Sequence, residues 1–283
     1  LIQHPQDVRH FLDQSISLRS AEGFARCGVE ILDALGVETL AFGSESGETE
    51  DFLRLAAAMD TPEYDAALRA ALASGQSYPA AREAAAKGLG LSSEFLKTPN
   101  NILGLEYCKA ALGRRIQPAA LHRTGDYHAP VPDAEAPSAS SLRSVLEADG
   151  DVSPFVPEAA AQRYTGAERH FPQCGERAML ARLRGMTPED WSVAAHGSEG
   201  LWSLAMRAAQ CCGTLQELES MVKSRRYPMT RVRRLLLCAA LGLTEDGLNL
   251  EIPYVRVLAM DGAGRRVLRE MRDLETLPII NAG

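Results

Sequence analysis

The stretch VETLAFGSESG, Val37 to Gly47, runs a short strand-forming segment straight into a glycine-bounded loop, and its reading decides the fold. A helix precedes it. Ser20 is placed to cap that helix, Phe24, Gly28, Ile31, Leu32 and Leu35 recur at helical spacing, and Gly36 ends it. Another helix begins at about Thr49. Helix, short buried strand at Val37 to Phe42, glycine loop and helix form the repeating unit of a doubly wound parallel sheet, so the chain is expected to be α/β.

Downstream, a helical excursion comes first. Thr61 caps one helix, with Pro62 at its first position and Gly75 as its stop, and a second runs from Pro79 to Gly88. TPNNILGLEYCKAALG, Thr98 to Gly113, reads as a helix opening on an Asn pair. QPAALHR, Gln117 to Arg123, reads as a strand that Pro118 makes irregular or an edge. HAPVPDAEAPSAS, His128 to Ser140, reads as a loop feeding the helix of SASSLRSVLEADG. The boundary between units is expected at Asp149 to Pro157, dividing residues 1–150 from a mainly helical 151–283.

In the second unit a helix from Glu176 to Arg184 stops at Gly185, Thr187-Pro188 opens another, and Thr214 with Glu217 has capping-box spacing. The helix after Pro228 sets Val232, Leu235, Leu236 and Ala239 on one face. The tail from Val255 fits either strand, helix and strand, or helices alone.

Composition narrows the function. At 46 % hydrophobic, 283 residues can fill one large core or two ordinary ones. No stretch approaches the roughly 18 apolar residues of a membrane span, and LIQHPQDVRHFLD is too polar for a secretory signal. The six cysteines, at 27, 108, 174, 211, 212 and 238, form no CxxC pair; they are expected to be reduced, buried and inert in a cytoplasmic protein without a metal site. A net charge of −7 argues against a generally basic nucleic-acid coat. Leu201 to Ala240, however, carries seven basic and two acidic residues, a local footprint for a polyanion.

Three segments have chemistry to offer. Asn100 and Asn101 bring side-chain amides and free N–H groups to the positive end of a helix, which suits a phosphate or a nucleotide hydroxyl; plain N-capping is the competing reading. SASSLR, Ser138 to Arg143, puts hydroxyls and a cation on a helix's first turn, where they clamp phosphate or merely cap. KSRRYPMTRVRR, Lys223 to Arg234, has six cations in twelve residues, no acid among them, and a Tyr to stack on an exposed base. No nucleophile triad, paired-carboxylate signature or Walker loop is present.

FGSESG (Phe42 to Gly47), PNNILGLEY (Pro99 to Tyr107), R-T-G-x-Y-H (Arg123 to His128), SASSLR, SRRYPMTRVRRLLL (Ser224 to Leu237) and the closing YVRVLAMDGAGR and LPII occur in this order. In that ordered set the chain resembles, from about Ser20 to its end, the bacterial tRNA(Met) cytidine acetate ligases. The resemblance implies a Rossmann-like nucleotidyltransferase parallel sheet followed by a mainly helical C-terminal domain, with 1–150 binding ATP and 151–283 binding tRNA. It implies that ATP and acetate give acetyl-adenylate, whose acetyl group passes to N4 of the wobble cytidine of elongator tRNA(Met). By position, Gly43, one or both of Asn100 and Asn101, and Arg123 with Thr124 would contact ATP. Ser138, Ser140 and Arg143 match the phosphate-side motif, and Lys223, Arg225, Arg226, Arg231 and Arg234 the tRNA-facing segment. ATP would bring Mg²⁺ with it.

The family's first strand leads into a His-containing phosphate-binding motif of HxGH type. LIQHPQDVRHFLDQSISLR, before Ser20, holds no His-x-Gly-His. The ATP-binding unit is therefore expected to be N-terminally incomplete or to have lost catalysis, with weak ATP binding. Two other functions share parts of this pattern: a small-molecule nucleotidyltransferase, which has no use for the basic helices, and a non-catalytic RNA-binding protein.

Overall fold

The computed structural model describes residues 16–123, 131–133, 137–271 and 277–281. It opens with a 3-10 turn, Ile16–Leu18, and helix α1, Ala21–Ala34, capped by the Ser20 hydroxyl accepting from Gly23 N–H. Strand β1, Thr39–Ser44, follows. Helices α2 (Thr49–Met59), α3 (Pro62–Ala73), α4 (Tyr78–Gly88) and α5 (Pro99–Ala111) then cross over to strand β2, Gln117–His122.

β1 and β2 are parallel, with Thr39 opposite Gln117 and Ser44 opposite His122, and among the described residues they form a two-stranded sheet. This is the α/β crossover that the sequence implies. The strand extends two residues into the expected GSESG loop and is buried on one face only: Phe42 and Ser44 point inward, Thr39, Ala41 and Gly43 outward. The expected short buried strand is thus buried on its Phe42 and Ser44 face.

The inward face is held by aromatic packing. Phe42 meets Phe52 edge-on at 5.5 Å, and Phe52 meets Phe95 at 4.6 Å. Leu55, Tyr64, Leu105 and Cys108 complete this core. Helix α5 lies against β1 because Gly104 leaves room for the Phe42 ring; a Cβ there would sit 2.4 Å from Phe42 Cε2. Behind the core, buried Glu106 accepts from Arg82 at 2.8 Å and Lys109 at 2.9 Å, and Lys109 also reaches Glu22. That network ties α4, α5 and α1 together.

After α6 (Ala139–Glu147) and α7 (Glu158–Tyr164), a helical region packs around Leu183, Trp191, Leu201, Leu218, Val232, Leu235 and Leu236. Its helices are α8 (Glu176–Arg184), α9 (Pro188–Ser192), α10 (Leu201–Cys211), α11 (Leu215–Val222), α12 (Met229–Leu241) and α13 (Glu245–Leu248). Thr214 caps α11 by accepting from Glu217 N–H, but the Glu217 carboxylate accepts from Gly213 N–H instead of closing the expected box. The tail is β3 (Val255–Val257), α14 (Gly262–Met271) and β4 (Ile279–Asn281), with the two strands parallel. Strand, helix, strand is thus the correct one of the two tail readings.

Residues 16–19 link the first region, where Arg19 donates to Cys27 Sγ, to the second. Leu18 packs on Ala195, Cys238, Leu243 and Leu248, His196 Nε2 bonds the Leu18 carbonyl at 2.8 Å, and Arg19 donates to Leu250 O at 3.0 Å. The cysteines are all unpaired, and Cys27, Cys108, Cys212 and Cys238 are buried. Cys174 and Cys211 are exposed, against expectation. Burial pushes the Cys108 thiol up to about 12. No described helix is long and apolar enough to cross a membrane.

Candidate nucleotide site and basic segment

The carboxyl ends of β1 and β2 and the start of α5 converge. At the end of β1 the buried Ser44 hydroxyl accepts from Ser46 N–H at 3.2 Å and Gly47 N–H at 2.7 Å, folding the chain back sharply. Gly47 sits at φ 73°, and a Cβ on it would lie 2.9 Å from His122 Cβ, so the turn needs glycine for both reasons.

The turn presents Glu45 to α5. Its carboxylate accepts from the Thr98 hydroxyl at 2.8 Å, Asn100 Nδ2 at 2.8 Å and Asn101 N–H at 3.0 Å. Asn101 Oδ1 in return accepts from Glu45 N–H at 3.0 Å. Burial alone would raise the Glu45 pKa, but the bonds from Thr98, Asn100 and Asn101 outweigh it and hold the carboxyl below the usual glutamate range. The helix start is therefore not a free anion site, as the sequence suggests, and its N-cap Thr98 makes no side-chain cap bond of its own.

Gly43 and Arg123 are neighbours across the strand ends. A Cβ on Gly43 would stand 3.0 Å from both Cγ and Cδ of Arg123, so the arginine stem lies over the glycine. Arg123 N–H continues the ladder to Ser44 O at 2.9 Å, and the side chain is exposed. Gly43, Asn100, Asn101 and Arg123 thus share one region, while Thr124 and His128 lie outside the described residues. Glu45 and Thr98 are the members missed by sequence reasoning; an acid inside a strand-to-helix loop was their only signal.

Ser138 is the N-cap of α6 and accepts from Ser141 N–H at 3.1 Å. Arg143 donates to Ser140 Oγ at 3.2 Å, and Ser144 donates to Ser140 O at 3.2 Å. Among the described residues these groups hydrogen-bond only within their own helix start, and none bonds to the strand ends. Nor do the described residues contain a cluster of three or more His, Cys, Asp or Glu able to hold a metal ion.

The basic segment divides into bound and free cations. Arg231 donates to Glu199 Oε2 at 3.0 Å, Ser198 Oγ at 2.8 Å, Ser198 O at 3.1 Å and His196 O at 3.3 Å. Arg233 forks onto Glu219, with contacts of 2.9 to 3.0 Å. The compensating acids that this segment lacks therefore come from elsewhere in the chain. Burial lowers the Arg234 pKa, and Arg234 Nε has no partner among the described residues. Lys223, Arg225 and Arg226 are exposed, and Arg226 Nε lies 3.9 Å from Glu199 Oε2 in a loose ion pair. Tyr227 is corrected as a base-stacking residue: it is buried, donates to Glu199 O at 2.6 Å, and its ring is flanked by the Arg226 and Arg231 guanidiniums.

The carboxyl ends of parallel strands, edged by a helix start, are the ligand-binding end of an α/β nucleotide-binding fold. The class is nucleotidyltransferase: the HIGH Nucleotidyl Transferase family model matches residues 12–282. The tRNA(Met) cytidine acetate ligase of Acetivibrio thermocellus is 31 % identical over 95 % of this chain and 71 % of that protein. The one from Lysinibacillus sphaericus is 30 % identical over 94 % of this chain and 71 % of its own length. The crystal structure of apo Thermotoga maritima TmcAL superposes with a TM-score of 0.85 at 27 % identity, covering 93 % of this chain and 68 % of that one. Its form bound with alpha-thio ATP gives 0.82 at 27 % identity, over 93 % and 67 %. The chain belongs to the tRNA(Met) cytidine acetate ligase family.

Proposed function

We propose that the protein is an ATP-dependent acetate ligase acting on elongator tRNA(Met) in the cytoplasm. An acetate oxygen attacks the α-phosphorus of ATP and pyrophosphate leaves. The wobble cytidine N4 then attacks the acetyl carbonyl of acetyl-adenylate, AMP leaves and the amine loses a proton. The observation that carries this reading is the convergence of Gly43, Asn100, Asn101 and Arg123 at the strand ends.

The residue types suit ATP. Adenylation builds charge on the α-phosphate and on departing pyrophosphate, and the exposed Arg123 guanidinium, with its stem laid over Gly43, offers a cation to it. Thr124 is its expected partner. Ser138, Ser140 and Arg143 are assigned to the phosphate side, where Arg143 and the N–H groups of the first turn of α6 meet anionic oxygens. Mg²⁺ would arrive with the phosphates and neutralise them. Cytosine N4 is a weak nucleophile, which is why a mixed anhydride shielded from water is needed.

On this reading residues 1–150 handle ATP and residues 151–283 handle tRNA. Lys223, Arg225 and Arg226 contact tRNA phosphates, while Arg231 and Arg234 shape the surface that presents them. Incubation with elongator tRNA(Met), ATP and acetate, followed by mass spectrometry of the wobble nucleoside, tests the proposal. N4-acetylcytidine that requires both ATP and acetate is expected, and its absence would sink the reading.

The exposed cations Lys223, Arg225 and Arg226 would serve equally in a second reading, a non-catalytic RNA-binding protein. Tight tRNA binding without detectable ATP binding would select it.

A further inference from the structure

The start of α5 has what an anion site needs, free backbone N–H groups at the positive end of a 13-residue helix. The anion there belongs to the chain. Glu45 takes the Asn101 N–H, the Thr98 hydroxyl and the Asn100 amide. A phosphate arriving at the same end would meet that carboxylate at close range, and like charges there repel. The end of α5 is closed to phosphate and open to uncharged groups.

Glu45 also sets the polarity of both amides: its carboxylate fixes Asn100 directly, and by anchoring the turn to Thr98 and Asn101 N–H it holds the Glu45 backbone N–H against the Asn101 side chain. Asn101 is 4 % exposed, and its Oδ1 is committed to Glu45 N–H, which turns Nδ2 to the other side. That Nδ2 donates to nothing among the described residues. Asn100 is oriented in the opposite sense, with Nδ2 committed to Glu45 Oε1 and Oδ1 left as an acceptor. One loop residue therefore leaves a donor on Asn101 and an acceptor on Asn100, while Arg123, across the strand ends, holds the positive charge.

We propose that Glu45 is a positioning residue for the nucleoside half of the nucleotide, closing the start of α5 to phosphate and setting Asn101 to donate Nδ2 to a ring nitrogen or ribose oxygen. The proposal rests on the nucleotide reading of these strand ends and adds which half of the nucleotide lies on which side. The triphosphate is thereby assigned to the Arg123 side.

Calorimetric titration of adenosine, ATP and inorganic pyrophosphate into the whole protein, Glu45→Gln, Glu45→Ala, Asn101→Ala and the Glu45→Ala/Asn101→Ala double variant tests it. Glu45→Gln keeps the side-chain shape, and thermal melts verify that each variant is folded. Adenosine affinity should fall about tenfold in Glu45→Ala and in Asn101→Ala, and no further in the double variant than in Asn101→Ala. Pyrophosphate should bind more tightly to Glu45→Gln than to the unaltered protein. Additive losses of adenosine affinity, unchanged adenosine binding in the Glu45 variants, or unchanged pyrophosphate binding would overturn the proposal. If the unaltered protein binds neither adenosine nor ATP, the nucleotide reading itself falls; if it binds both and the Glu45 variants match it, only the role of Glu45 falls.

Discussion

Glu45 and Asn101, 56 residues apart in sequence, hold each other by two opposed hydrogen bonds of 3.0 Å: Glu45 N–H to Asn101 Oδ1, and Asn101 N–H to Glu45 Oε2. The pair locks the turn after β1 to the start of α5. It also explains why a helix start that looks like an anion site is already filled.

The packing of α5 on β1 predicts opposite outcomes for two glycines. Gly104→Ala would place a Cβ 2.4 Å from Phe42 Cε2, inside the Phe42–Phe52–Tyr107 cluster. Unfolding curves should show a loss of about 1–3 kcal/mol. Gly28→Ala, in α1 with nothing within 4 Å of the added methyl, should be neutral or gain up to about 1 kcal/mol. Equal stability of the two variants would contradict this packing.

Gly43→Ala meets the stem of a flexible arginine rather than backbone. It should leave the melting temperature nearly unchanged and weaken ATP binding to a degree comparable with Arg123→Ala. Equilibrium titration checks this; a Gly43→Ala protein with intact ATP affinity would show that Arg123 does not need that surface.

The cations should separate by experiment. Lys223→Ala and Arg225→Ala, both at exposed positions, should each weaken tRNA binding and lower the slope of log affinity against log salt by about one unit or less, without loss of stability. Arg231→Ala removes an ion pair and the bonds to Ser198 and His196, and should cost about 1–3 kcal/mol of stability. Filter binding across a salt series and denaturant unfolding distinguish the two behaviours.

His196 predicts a pH dependence. Burial depresses its pKa below 6.5, although the Leu18 carbonyl opposes the shift. The unfolded chain then takes up the proton more readily, so stability is full above that pH and falls as pH drops through 6.5 toward the folded value. His196→Asn suits the left-handed backbone there, at φ 65°. It should flatten the decline in urea midpoint between about pH 7 and 5; an unchanged decline would assign it to other groups.

Much of the fold was legible because its signals are local. Ser20, Thr61 and Thr187 cap the helices they precede, and Val232, Leu235, Leu236 and Ala239 form the buried face of α12 as their spacing requires. The site was less legible because its decisive contacts are long-range. Nothing near Asn101 in sequence announces Glu45, and nothing near Arg231 announces Glu199. Tyr227 reads as an exposed aromatic among cations, yet its hydroxyl reaches Glu199 O and the ring is buried. A charge run shows cations, but only the fold decides which remain free.

On the proposed function, the ends of β1 and β2, with the start of α5, form the ATP site. Titration of ATP into the unaltered protein, Arg123→Ala and Asn101→Ala tests it most directly. Saturable one-site binding that weakens about tenfold or more in each folded variant is expected. Equal ATP affinity in all three proteins would contradict it.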